Sequence, residues 1–197
     1  MGNKKNIMKK IKSALISVSD KSNLKPLLQV LKQNNVKLIS SGGTFKSIRK
    51  LGFQCKEVSS YTGFKEMLDG RVKTLHPKIH SGILFNRSKK SHLSQMNKRN
   101  FKPIDLIIVN FYPFQDALKK TKANSRIVEN IDIGGPTMVR AAAKNFNDVV
   151  VITSENDYRP LIEELRKNSG KTSLVFREKM ASKAFNLTSY YDSIIAE

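Results

Sequence analysis

Apolar residues along this chain come in short runs, separated by longer stretches with helical spacing. Ala14 to Val18 (ALISV) and Val36 to Ser40 read as buried strands, and Gln54 to Val58 as a third. Asp105 to Asn110 (DLIIVN) is the clearest strand, and Val149 to Ile152 is another. Between the first two, Leu24, Leu27, Leu28 and Leu31 follow the i, i+3, i+4, i+7 stripe of a helix buried on one side. Ser22 opens that helix, with Pro26 early enough for its missing amide to be tolerated. Ile48 and Leu51 mark the next helix. Residues 156–167 and 172–197 read as helical, broken at Ser169-Gly170. Strands alternating with helical crossovers predict an α/β fold with parallel strands. The stretch from Ser59 to Lys102 is less regular and carries Gly, Pro and His, which suits a functional loop region.

Composition narrows the class. A length of 197 residues fits one α/β domain with a helical appendage. The expected division is a basic, disordered extension over 1–12, a domain over 13–155 and a helical C-terminal segment over 156–197. No apolar run is long enough to span a bilayer, and Met1 to Lys12 lacks the apolar stretch of a secretory signal. The single cysteine, Cys55, excludes an intrachain disulfide and a cysteine metal cluster, so a reducing cytoplasm is expected. The net charge of +20 would attract polyanions. Its lysines are scattered through nearly every segment, however, and no aromatic-spaced basic motif accompanies them, so no specific nucleic acid is expected. A phosphorylated small substrate would gain from the same field.

Chemistry-bearing residues gather where strands end, the place where open α/β sheets bind ligands. Ser17 to Lys21 (SVSDK) follows the first strand, and Ser41-Gly42-Gly43-Thr44 the second. The glycines let backbone approach an anion, and the next helix offers free amides. A plain strand-to-helix turn capped by Thr44 explains the same residues. Asn110 to Pro113 follows the central strand, and Asp132-Ile133-Gly134-Gly135 precedes a helix bearing Arg140 and Lys144. The alanines 141–143 suggest that this helix is mostly buried, where a lysine could have a lowered pKa. GRVKTLHP, from Gly70, offers the Arg71 fork beside Lys73 and Thr74. His76 and His80 stand four apart, but Pro77 argues against a regular helix through both and no further ligands are spaced nearby. No metal site is expected.

The blocks ALISVSDKSNL, LISSGGTFKSI, TGFKEMLDGRVKTLHPKIHSGIL, NFYPF and IDIGGPTMVRAAAKN occur in that order and cover nearly all of Ala14 to Tyr158. In this combination the chain resembles the N-terminal cyclohydrolase domain of the bifunctional AICAR transformylase/IMP cyclohydrolase family of purine biosynthesis. The resemblance implies a methylglyoxal-synthase-like fold, a three-layer α/β/α sandwich around a mainly parallel sheet, followed by C-terminal helices. It implies dehydrative closure of formyl-AICAR to IMP without metal or cofactor. It places Ser19, Asp20, Lys21, Ser41, Gly42, Gly43, Thr44, Arg71, Val72, Lys73, Thr74, Asn110, Phe111, Asp132 and Ile133 around the nucleotide. Lys144 matches the family's proton donor/acceptor, and Lys73, Tyr112 and Asp132 match groups near the reacting atoms. Phe111 stands where Leu is usual, a swap between apolar residues. The resemblance does not extend to a transformylase domain, so folate chemistry is not implied. A homodimer stays open.

Three other readings compete. Methylglyoxal synthase shares the fold but needs a carboxylate base for a triose phosphate, and GRVKTLHP argues against it. A regulatory module of the same fold would bind nucleotide without turnover, and Lys73, Tyr112, Asp132 and Lys144 argue against that. A nucleic-acid binder would show steeply salt-dependent affinity for generic DNA or RNA.

Overall fold

The computed structural model describes residues 7–111 and 128–196. Its strands are β1 (Lys9–Lys10), β2 (Ser13–Val18), β3 (Lys37–Ser40), β4 (Lys56–Glu57), β5 (Leu106–Asn110), β6 (Val150–Ile152) and β7 (Lys171–Thr172). Its helices are α1 (Leu24–Gln33), α2 (Gly42–Lys50), α3 (Val58–Thr62), α4 (Pro77–Leu84) and α5 (Lys90–Lys98). After the undescribed stretch come α6 (Gly134–Lys144), α7 (Tyr158–Lys167) and α8 (Leu174–Ala196). Five strands pair in parallel in the order β4-β3-β2-β5-β6. Right-handed crossovers therefore put α1, between β2 and β3, on the opposite face from α6, between β5 and β6. α7 packs with α1, while α4 and α8 pack with α6. The result is the expected three-layer sandwich.

The central strands are buried on both faces. Ala14, Leu15, Ile16 and Leu106 to Val109 are essentially without solvent contact, which is why they read as continuous apolar runs rather than alternating ones. The leucine stripe of α1 is buried as its spacing predicts: Leu24, Leu27, Leu28 and Leu31 all face the core.

Several boundaries differ from the sequence reading, each for a visible reason. The third strand shrinks to Lys56–Glu57, because Val58 already begins α3 and is buried as a helical residue. Pro77 does not interrupt a helix but opens one. It is the first residue of α4, and His76 caps it by accepting the Lys78 amide at Nδ1, 3.1 Å away. Residues expected to belong to a disordered extension are ordered: Lys9–Lys10 pair antiparallel with β7, and Ile11 is buried. Thr172 belongs to that strand rather than to a helix. The terminal helix is no outlying appendage, since α8 lies against α6 and β6.

Arg177 on α8 ties these late features together. It is fully buried. Its guanidinium donates to the carbonyls of Phe146 (2.8 Å), Asn147 (3.1 Å), Thr172 (2.5 Å) and Ile7 (3.2 Å). Burial lowers its pKa to about 10, so it stays charged at neutral pH. Replacing it by Met strands these acceptors, and we expect a loss of about 3 kcal/mol or more in urea unfolding. A loss below about 1 kcal/mol, the range of ordinary surface substitutions, would show that the carbonyls find other partners.

Candidate active site

Strand order reverses between β2 and β5, because the chain leaves β2 toward β3 on one side and returns from β5 toward β6 on the other. The crevice this opens lies at the carboxyl ends of the strands. Asn110, at the end of β5, bridges it. Its Oδ1 accepts the Ser19 amide (2.6 Å), the Ser19 hydroxyl (3.0 Å) and the Asp20 amide (3.3 Å), while its Nδ2 donates to the Asp20 carbonyl (3.1 Å). Ser19 also donates to the Phe111 carbonyl. The loops after β2 and β5 are thus stitched into one surface. Asp20 is committed locally: its carboxylate accepts the Ser22 amide, and hydrogen bonding to Ser22 holds it below the ordinary range.

Beside this surface lies a cleft of about 540 Å³, a volume within the range of small-ligand sites. Ser17 and Ser41 line its sheet side, with Arg71, Lys73 and Thr74 on one wall and Asp132 to Gly135 on the other. Lys73 pairs with Glu66, and Arg71 with Glu129. Of the residues assigned by resemblance, Ser41, Arg71, Lys73, Thr74, Asp132 and Ile133 line the cleft directly. Gly42 adjoins it, in a left-handed conformation (φ 54°) with its Cβ position 3.5 Å from Lys73 Nζ. Lys21 lies near Gly43, with Cε 3.7 Å from the Gly43 Cβ position. Val72 forms a bridge with Met67. Tyr112 lies outside the described residues.

Two further assigned residues, Thr44 and Lys144, are not among those that line the cleft. Thr44 is buried; its hydroxyl accepts the Val18 amide and donates to the Val18 carbonyl, locking α2 to the end of β2. The N-cap position of α2 is Ser41, so Thr44 is not its cap. Lys144 is the last residue of α6, ten residues beyond Gly134. Met138, which lines the cleft from the same helix, lies six residues before it, about 9 Å at helical rise. Lys144 is exposed, so the expectation of a lysine drawn into a buried place is corrected: the alanines face the core and Lys144 turns outward.

Asp132 is the most constrained group in the cleft. Its Oδ1 accepts the Gly135 amide at 2.8 Å, satisfying one of the free donors at the start of α6. Burial raises its carboxyl above the ordinary range, while the Gly135 and Gly134 amides pull the other way. The two glycines are required by contact. A Cβ on Gly135 would sit 2.3 Å from Asp132 Oδ2, and one on Gly134 would sit 2.6 Å from the Thr74 hydroxyl. Sequence reasoning missed the carboxylate partners Glu66 and Glu129. It also missed Tyr191 of α8, whose hydroxyl accepts the Asp132 amide at 2.8 Å. Glu129 is 58 residues from Arg71 and Tyr191 is 59 from Asp132, so no local pattern could point to either.

Other candidate chemistry is weaker. Burial pushes the Cys55 thiol up to about 11, which keeps it protonated and poorly nucleophilic. Among the described residues no group of three or more His, Cys, Asp or Glu is placed to hold a metal ion. A second hollow of about 320 Å³ between α7 and α8 lies away from the strand ends. Among the described residues no helix is long and apolar enough to cross a membrane.

A five-stranded parallel sheet with an anion-suited cleft beside its switch point defines a methylglyoxal-synthase-like α/β domain. The chain belongs to that family: residues 23–137 match the MGS-like domain, and residues 142–197 match the AICARFT/IMPCHase bienzyme. The bifunctional purine biosynthesis protein PurH of Clostridium kluyveri is 52% identical over 186 residues, covering 94% of this chain and 37% of that protein. PurH of Bradyrhizobium diazoefficiens is 46% identical over 188 residues, covering 95% and 36%. The chain therefore spans little more than a third of these relatives. The crystal structure of ForH superposes with a TM-score of 0.83 at 30% identity, covering 94% of this chain and 97% of that one. The two PurH relatives are named as bifunctional purine biosynthesis proteins, and the second family model is that of a bienzyme.

Two outcomes follow from the Asp132 geometry. Gly135→Ala should cost about 1–3 kcal/mol through overpacking, whereas Gly43→Ala, whose Cβ meets only Lys21 at 3.7 Å or more, should be nearly silent. Equal melting temperatures for the two variants would contradict the contact. Because the folded pKa of Asp132 is raised, the folded state holds its proton longer than the unfolded chain does. Stability from this group is therefore present below the unfolded pKa, and is lost as pH rises from about 4 through the folded pKa. Asp132→Asn removes that loss, so its stability relative to wild type should improve with pH across this window. A pH-independent difference would refute the raised pKa.

Proposed function

We propose that the cleft closes formyl-AICAR to IMP, the dehydrative last step of purine-ring assembly, in the cytoplasm. The observation carrying this reading is the convergence of Lys73, Arg71 and Asp132 with the glycine-bearing ends of β3 and α6 around one cleft. The family match supports it. The substrate's carboxamide nitrogen is a weak nucleophile, because its lone pair is delocalised into its carbonyl. It attacks the formyl carbon and gives up a proton while the formyl oxygen takes one. The resulting hydroxyl then leaves as water with the proton of the second nitrogen, which completes the ring double bond. Both reacting groups hang on neighbouring ring atoms, so holding them face to face supplies much of the rate.

The residues suit these steps. Lys73, which pairs with Glu66, stabilises the developing oxyanion. Asp132, fixed at both its carboxylate and its amide, accepts from the carboxamide and orients it. Arg71 and the amides near Ser41 to Gly43 suit a phosphate. The roles of Tyr112 and Lys144 rest on resemblance. Lys144 is exposed at the end of α6, six residues beyond Met138, which lines the cleft from the same helix.

Purified protein incubated with formyl-AICAR should form IMP, followed by absorbance. Asp132→Asn and Lys73→Ala should each lower turnover by about 100-fold while the fold survives. Binding of IMP without any turnover of formyl-AICAR would favour a regulatory module instead. Lys144→Ala decides between resemblance and geometry. Near-normal turnover leaves the proton work to the groups that line the cleft, whereas a comparable loss in a folded variant assigns it to Lys144.

A further inference from the structure

We propose that Tyr191, on the terminal helix α8, is a positioning residue for the cleft: it holds the backbone at Asp132 and so sets the orientation of the Asp132 carboxylate. The inference rests on the reading that Asp132 works on the substrate. Tyr191 is 5% exposed, so its hydroxyl has little access to water. That hydroxyl accepts the Asp132 amide at 2.8 Å, and the ring packs on Phe111 with centroids 5.0 Å apart and planes at 53°. One side chain therefore touches both loops that flank the crevice, the one leaving β5 and the one entering α6. Asp132 is gripped from two directions: its amide by α8, and its carboxylate by the Gly135 amide. The absence of a Cβ at Gly135 makes room for the carboxylate, since a Cβ there would sit 2.3 Å from Asp132 Oδ2. Rotation of the Asp132 backbone would break one grip or the other, so the helix-borne hydroxyl fixes where the carboxylate points. α8 itself is anchored by its packing on α6 and β6 and by buried Arg177, so the hydroxyl is presented from a rigid element.

Tyr191→Phe removes the hydroxyl and keeps the ring against Phe111. Amide hydrogen exchange at Asp132 should quicken by about tenfold or more, with exchange in β2 and β5 unchanged. For formyl-AICAR closure kcat should fall by about 5- to 10-fold, KM should stay within about twofold, and the melting temperature should hardly move. A merely structural tyrosine would instead lower melting temperature and leave kcat per folded molecule intact, which overturns the proposal. So does unchanged exchange at Asp132, or an unchanged kcat. If Tyr191→Phe folds poorly, the same measurements on Phe111→Leu, which keeps the hydroxyl but loosens the ring contact, must show a smaller kcat effect than Asp132→Asn and slower Asp132 exchange than any hydroxyl-less variant; the reverse order overturns it. Failure of wild-type protein to close the ring defeats the proposed function alone, because exchange at Asp132 still decides whether Tyr191 holds that backbone.

Discussion

Pairing β2 with β5 in parallel, Ala14 opposite Leu106 and Val18 opposite Asn110, is the constraint from which the site follows. These strands are distant in sequence, so the chain must leave β2 in one direction and approach β5 from the other. Crossovers of one hand then place helices on both faces and leave the loops at this junction uncovered. At the opposite end the same junction is sealed. Asp105, just before β5, is buried; it accepts the amides of Lys12, just before β2, and of Ser13, the first residue of β2, and pairs with Arg87 at 2.7 Å. Asp148, leading into β6, pairs with Lys9 at 2.7 Å. Buried charge at the lower edge locks register, and the upper edge is left to bind.

Charge is arranged differently at those two edges. Asp105, Asp148 and Arg177 are buried among carbonyls, amides and partners, where losing one partner strands another. Arg71–Glu129 is an exposed pair at the cleft, and Lys73–Glu66 is a half-buried lysine with an exposed carboxylate. Pairs of that kind contribute little to stability, so a phosphate or an oxyanion can displace a carboxylate at small cost. The net charge of +20 adds a long-range attraction for anions. It needs no nucleic-acid role to be useful to a phosphorylated substrate.

What sequence could reveal depended on how local the cause was. Continuous apolar runs at 14–18 and 106–109 and the leucine stripe of α1 are local patterns, and they appear where expected. The blocks around Arg71 to Thr74 and Asp132 to Gly135 were legible as chemistry because glycine, arginine and lysine at those spacings have few other uses. Thr44 misled because a hydroxyl after two glycines caps helices as readily as it ties a helix to a strand. Lys144 misled because three alanines signal a buried face, and the next residue on a 3.6-residue helix has already turned off it. The strand at Thr172 and the order at Lys9 depend on each other across the whole chain, so neither could be seen in its own neighbourhood.

Tyr191 and Asp132 are 59 residues apart in sequence and joined by one hydrogen bond. That separation changes how the terminal helix is understood. A segment read as an appendage would be dispensable to a site built from strand-end loops. Here β6 receives α8, α8 packs on α6, and the start of α6 carries Asp132 and its glycines. Arg177 ties the first turns of α8 to the carbonyls of Ile7, Phe146, Asn147 and Thr172, and Tyr191 delivers that rigidity, near the other end of the helix, to the cleft. A loop tip such as 131–135 would otherwise owe its position only to its own short contacts, and loops so held open locally at little free-energy cost. The domain gains a fixed carboxylate by letting its last helix reach back to the switch point that its second strand created.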